Sequence, residues 1–114
     1  MAKYSRIEVV LQMKENGIVP VFYNADVAIC KQVLKACYDA GLRTFEFTNR
    51  GDFAHEVFAD LNKYAKAELQ GMIMGVGSVL DAGTTSLYLQ LGADFIVSPI
   101  VNAEMAKAVS YTHL

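Results

Sequence analysis

The chain has no tryptophan, and only two prolines, two cysteines and two histidines. So few prolines leave no proline-rich linker to divide it, and no low-complexity stretch does so either. Cys30 and Cys37 fall on one predicted helix about 10.5 Å apart along its axis, beyond the ~7 Å Cα separation that a disulfide tolerates. Both are expected to be reduced and buried, and no second Cys or His stands at a spacing that suggests a metal or redox centre. Lysine and arginine form no run, and the formal net charge is -2, which removes the basic footprint that nucleic acid or an anionic membrane would require. No apolar run approaches the ~20 residues of a spanning helix, and the opening Met-Ala-Lys-Tyr-Ser-Arg lacks the apolar core of a secretory signal. A cytoplasmic protein is the expectation, and small-molecule chemistry remains open.

What is present is a packed body. The 114 residues are 54% hydrophobic and 19% charged, enough for one ordinary domain or half of a larger one. Short apolar runs alternate with longer amphipathic ones. Residues 5–15 read as an opening helix with a stripe of Ile7, Val10 and Leu11 edged by Lys14, stopped by Asn16-Gly17. A strand follows over 18–22. Asp26 is placed to cap a helix running to Ala40 whose apolar positions Val27, Cys30, Val33, Leu34 and Cys37 follow the 3.6-residue period, with Gly41 at its terminus. The next strand is 43–48. Asp52 is read as opening a helix to about Lys66, with Phe53, Val57, Phe58 and Leu61 on its apolar face, before a strand near 72–76. Asp81 caps a further helix to Leu91, Gly92 ends it, and 94–97 forms the last strand. Residues 102–108 open one more helix. Strands recurring near 18, 43, 72 and 94, each followed by a helix, are the signature of parallel βα units. The similar joints Ala40-Gly41-Leu42 and Leu91-Gly92-Ala93 reinforce it. Such a chain could be a small doubly wound sheet or half of an eightfold barrel, whose full length is ~250 residues.

The strand Thr44-Phe45-Glu46-Phe47-Thr48 is the most informative segment. Alternation sends Phe45 and Phe47 to one face and Thr44, Glu46 and Thr48 to the other. A carboxylate there is costly unless something pairs with it or chemistry needs it. Arg50, just beyond, offers a planar fork of donors suited to an anionic substrate. An isolated strand glutamate is otherwise a surface residue of an edge strand, and Gly75-Val76-Gly77-Ser78 taken alone is a tight βα turn. It is no dinucleotide fingerprint, because Leu80 replaces the third glycine. Asp52 and Asp81 read as helix caps, His55 as a surface or boundary residue, Met72 and Met74 as core, and Tyr23 and Asn24 as loop residues within reach of a ligand.

Four motifs occur in register with the βα units: Val19-Pro20-Val21, Glu46-Phe47-Thr48-Asn49-Arg50, Gly75-Val76-Gly77-Ser78-Val79 and Val97-Ser98-Pro99. Together, over roughly residues 5–108, they resemble the family of 2-keto-3-deoxy-6-phosphogluconate (KDPG) and 4-hydroxy-2-oxoglutarate aldolases. The resemblance implies a (β/α)8 TIM barrel, of which this chain would form about four βα units preceded by an amino-terminal helix. It implies class I aldolase chemistry with no metal and no cofactor, releasing pyruvate and an aldehyde through a lysine Schiff base. Glu46 matches the family's general acid/base, Arg50 and Ser78 its carboxylate-binding residues, and Thr48, Gly77, Ser98 and Pro99 stand where they would shape the site. By the same resemblance the complete protein is a homo-oligomer, a trimer.

The lysine itself is missing. Lys3, Lys14, Lys31, Lys35, Lys63, Lys66 and Lys107 all fall on predicted helices or at the amino terminus, so the chain reads as the amino-terminal half of such an enzyme, inactive alone. Residues 109–114 depart from the family pattern and are set apart as a tail, foreign or divergent; His113 belongs to it. The competing reading is a non-catalytic βα fragment or a small flavodoxin-like binding module.

Overall fold

The structure, a computed structural model, describes residues 1–112. It comprises α1 (Arg6–Asn16), β1 (Val21–Phe22), α2 (Val27–Asp39), β2 (Thr44–Thr48), α3 (Ala54–Glu68), β3 (Ile73–Gly77), α4 (Ala82–Gln90), β4 (Phe95–Ile96) and α5 (Ala103–Thr112). The four strands form one parallel sheet in the order β1-β2-β3-β4.

That order decides between the two architectures left open by the βα spacing, in favour of the barrel that the motifs imply. A doubly wound sheet reverses direction at a switch point and puts helices on both faces. Here every crossover moves one strand onward, and right-handed crossovers of that kind stack all their helices on one side. The core agrees: Phe45, Phe47, Met74 and Val76 join Cys30 and Leu34 of α2, Phe58 and Leu61 of α3, Tyr88 of α4 and Met105 of α5 in one buried cluster. The opposite face, left uncovered by α2, α3 and α4, is therefore the concave side of a barrel segment, and α1 lies at its edge, where Val9 and Met13 border a hollow with Phe95 and Leu11 borders another with Ile73.

Local chemistry explains the element ends. Ser5 and Glu8 form a reciprocal capping box at α1, and Gly17 closes that helix at φ 75°. Asp26 and Asp81 accept the amides of Ala28 and Thr84 at the starts of α2 and α4. Asn102 does the same for Glu104 and Met105 at α5. The carboxy-terminal carbonyls of α4 are taken by its neighbour: Asn62 Nδ2 donates to Leu91 O at 2.8 Å and Lys66 Nζ to Gly92 O at 3.3 Å. A cation at that end also complements the helix dipole.

Several expectations need correction. In α1 the buried residue is Val9, while Ile7, Val10 and Leu11 are 70%, 58% and 58% exposed. Val10 and Leu11 border open hollows rather than packed neighbours, so periodicity alone misplaced the inner face of the helix. Asp52 does not cap α3; Phe53 occupies the cap position at φ 59° with no side-chain hydrogen bond and lies 67% exposed. The turn 48–51 is held by other contacts, described below, which carry Phe53 outward. The first strand shrinks to two residues because only Val21 and Phe22 pair with β2. Cys30 is buried, its thiol facing Asn24 O, whereas Cys37 is only partly buried.

One tie was not foreseen. The fully buried Asp94 accepts the amides of Lys3 at 2.8 Å, Tyr4 at 3.2 Å and Met74 at 3.1 Å. It fastens the amino-terminal segment beneath β3 and β4. Helix α5 runs on to Thr112 without a break at 109, and His113 and Leu114 lie outside the described residues. Among the described residues no helix is long and apolar enough to cross a membrane.

Candidate active site at the strand ends

Strand pairing aligns Glu46 with Gly75 and Thr48 with Gly77. In a parallel sheet aligned residues share a face, so Thr44, Glu46 and Thr48 stand with Gly75 and Gly77 on the concave side. Both glycines are there because side chains from neighbouring strands occupy their space. A β-carbon at Gly77 would overlap the Glu46 carboxylate, and one at Gly75 would overlap the Phe95 ring. The Glu46 carboxyl thus lies across β3, half-buried, on the face opposite the helices.

The Glu46 backbone N–H donates to Pro20 O at 2.8 Å, and its carboxyl forms no hydrogen bond or close ion pair with any described residue. Burial pushes its pKa above the ordinary 4.5, and the charge of Arg50 pulls it back in part. A carboxyl raised by burial is suited to carry a proton in one step and accept it in another.

Arg50 is exposed at the end of β2 and, with Thr48, Val21, Phe22 and Tyr23, lines a hollow of about 270 Å³. The guanidinium has no carboxylate partner among the described residues, which leaves its fork of donors facing the hollow's mouth. Ser78 follows Gly77 directly and adopts φ 59°, a left-handed conformation that a residue with a β-carbon enters at some cost. Neither its hydroxyl nor its backbone N–H has a partner among the described residues. Two donors are thereby presented at the end of β3, beside the end of β2.

Glu46, Thr48, Arg50, Gly77 and Ser78 are gathered at the carboxy-terminal ends of β2 and β3. Ser98 and Pro99 follow β4, whose end is tied to that of β3 by Val79 N–H to Val97 O. The Ser98 hydroxyl accepts the Ile100 amide at 3.3 Å and borders a separate hollow of about 290 Å³ with Ile96, Asn102 and Met105. Among the described residues no three His, Cys, Asp or Glu side chains are placed to hold a metal ion. Every lysine lies on a helix or in the amino-terminal segment, and none on a strand.

Comparison with known proteins fixes the family. The profile described as "Aldolase: KDPG and KHG aldolase" matches residues 9–114. The chain belongs to the KDPG and KHG aldolase family. It is 30% identical over 95 residues to the 2-dehydro-3-deoxy-phosphogluconate aldolase of Zymomonas mobilis, covering 83% of this chain and 43% of that protein. The crystal structure of the KDPG aldolase of Zymomonas mobilis ZM4 with 3-phosphoglycerate superposes with a TM-score of 0.69 at 29% identity, covering 82% of this chain and 42% of that one. The KDPG aldolase of Legionella pneumophila, with pyruvate captured as a covalent carbinolamine, gives 0.71 at 22% identity, covering 84% and 45%, a likeness of fold. The chain thus spans less than half the length of these relatives, and its four βα units make up about half of the TIM-barrel fold of the family.

Proposed function

We propose that this chain supplies the proton-relay and carboxylate-gripping part of an aldolase site. The reaction is reversible cleavage of a substrate of the 2-keto-3-deoxy-6-phosphogluconate or 4-hydroxy-2-oxoglutarate type to pyruvate and an aldehyde, through a lysine Schiff base. The observation that carries the reading is Glu46: a carboxyl on the concave face, at the strand ends, with its pKa raised by burial and a guanidinium nearby.

Condensation of the lysine amine with the substrate ketone expels water and leaves a protonated imine. Loss of the proton from the substrate hydroxyl breaks the adjacent carbon–carbon bond, the electron pair flows into the imine, and the aldehyde departs. The resulting enamine takes a proton at carbon, and water then returns the lysine and pyruvate. Glu46 is assigned the proton transfers, Arg50 and Ser78 the substrate carboxylate, and Thr48 and Gly77 the shaping of the pocket around Glu46. The lysine is assigned to the part of the relatives that this chain does not match, so the chain alone is expected to be inactive.

Pyruvate and borohydride test this division. The chain alone should yield no reduced adduct. Joined to the remaining half-barrel it should yield one, on a strand lysine of that half. In the joined protein Glu46→Gln should slow deuterium exchange into the pyruvate methyl by about 10²-fold or more while the adduct still forms. Undiminished exchange would assign the base to another group.

A further inference from the structure

The turn carrying Arg50 is gripped by two tyrosines, Tyr88 and Tyr23. Tyr88 of α4 is fully buried, and its hydroxyl donates to Asn49 Oδ1 at 2.8 Å. On the other side the Tyr23 hydroxyl sits so close over Gly51 that a β-carbon there would overlap it. The backbone between is fixed by Asn49 N–H to Gly77 O and Arg50 N–H to Thr48 O, each at 2.9 Å.

Both tyrosines belong to one aromatic row. Tyr23 meets Phe47 edge-on at 5.5 Å, Phe47 meets Phe58 at 5.8 Å, and Phe58 meets Tyr88 edge-on at 5.5 Å. The row passes beneath β2 from the first βα loop to α4, and its two ends rise to the turn at residues 49–51. Burial, with Tyr23 close by, pushes the Tyr88 hydroxyl up to about 12, so it remains a donor at any ordinary pH.

We infer that Tyr88, through Asn49, is a positioning residue that holds the 49–51 turn in the shape that aims Arg50 at the substrate carboxylate. The inference rests on the proposed role of Arg50, and its test separates the two. Tyr88→Phe keeps the aromatic row and deletes only the hydroxyl, leaving Asn49 Oδ1 without its donor.

In the full chain, amide exchange at Asn49, Arg50 and Gly51 should quicken roughly fivefold or more in Tyr88→Phe, while Phe45 and Met74 in the strands keep their protection. In the protein joined to the remaining half-barrel, pyruvate affinity, followed by NMR titration, should weaken by a comparable factor, with no further loss when Tyr88→Phe is added to Arg50→Ala. A purely structural hydroxyl would instead lower protection throughout the core and weaken binding equally with and without Arg50. Unchanged exchange at the turn, or that equal weakening, overturns the inference. Failure of the unaltered joined protein to take up pyruvate would count against the proposed function, and exchange at the turn would still decide the role of Tyr88.

Discussion

At the residue scale, the site depends on side chains that are missing as much as on those present. Gly75 and Gly77 leave the space that Phe95 and Glu46 fill, so the two glycines are required by their neighbours rather than by backbone conformation. Gly77→Ala should displace the Glu46 carboxyl and destabilise the fold by about 1–3 kcal/mol. Chemical denaturation measures the loss, and a neutral outcome would mean that Glu46 does not lie across β3. The alternation of Thr44 to Thr48 was readable in the sequence because the strand period is strict, and Phe45 and Phe47 do face the helices. The bond from Tyr88 to Asn49 was not readable. Tyr88 sits on a helix whose other residues give no amphipathic signal, and its partner lies 39 positions away.

At the element scale, helix ends announced by a cap were legible, and those fixed by tertiary contact were not. Asp26 and Asp81 cap where expected. Asp52 does not, because the turn before α3 is already committed to the contacts of Asn49 and Gly51, and Phe53 takes the cap position instead. The stripe of α1 failed for a related reason: an amphipathic pattern shows that a face is apolar, but not what lies against it. Asp94 is the clearest case of information held only in three dimensions, since it reads as an ordinary strand residue yet satisfies three amides from two distant segments. Asp94→Ala should cost about 2–3 kcal/mol and free the amino-terminal segment. Limited proteolysis reports this as faster cleavage ahead of α1, and unchanged resistance would show that the staple is dispensable.

At the scale of the whole molecule, a four-stranded parallel sheet in sequential order has two unpaired edges, β1 and β4. Around them stand exposed apolar residues: Ile18 and Val21 by the first edge, Val97 and Ile100 by the second, with Ile7, Val10 and Leu11 on α1. Open edges with apolar borders favour association. Light scattering should find the isolated chain as dimers or larger species, and a monodisperse monomer would show that these edges are protected. The fold class was legible because βα spacing and four ordered motifs agreed: the spacing alone left barrel and doubly wound sheet open, the motifs pointed to the barrel, and the strand order agrees. The account rests on a carboxyl whose burial raises its pKa against the pull of a neighbouring guanidinium. Carbon-detected NMR titration of Glu46 in the unaltered chain and in Arg50→Ala tests it most directly. Glu46 should titrate above the ordinary 4.5, and higher still without Arg50, because removing the cation leaves burial unopposed. An ordinary midpoint that does not move when Arg50 is removed would contradict it.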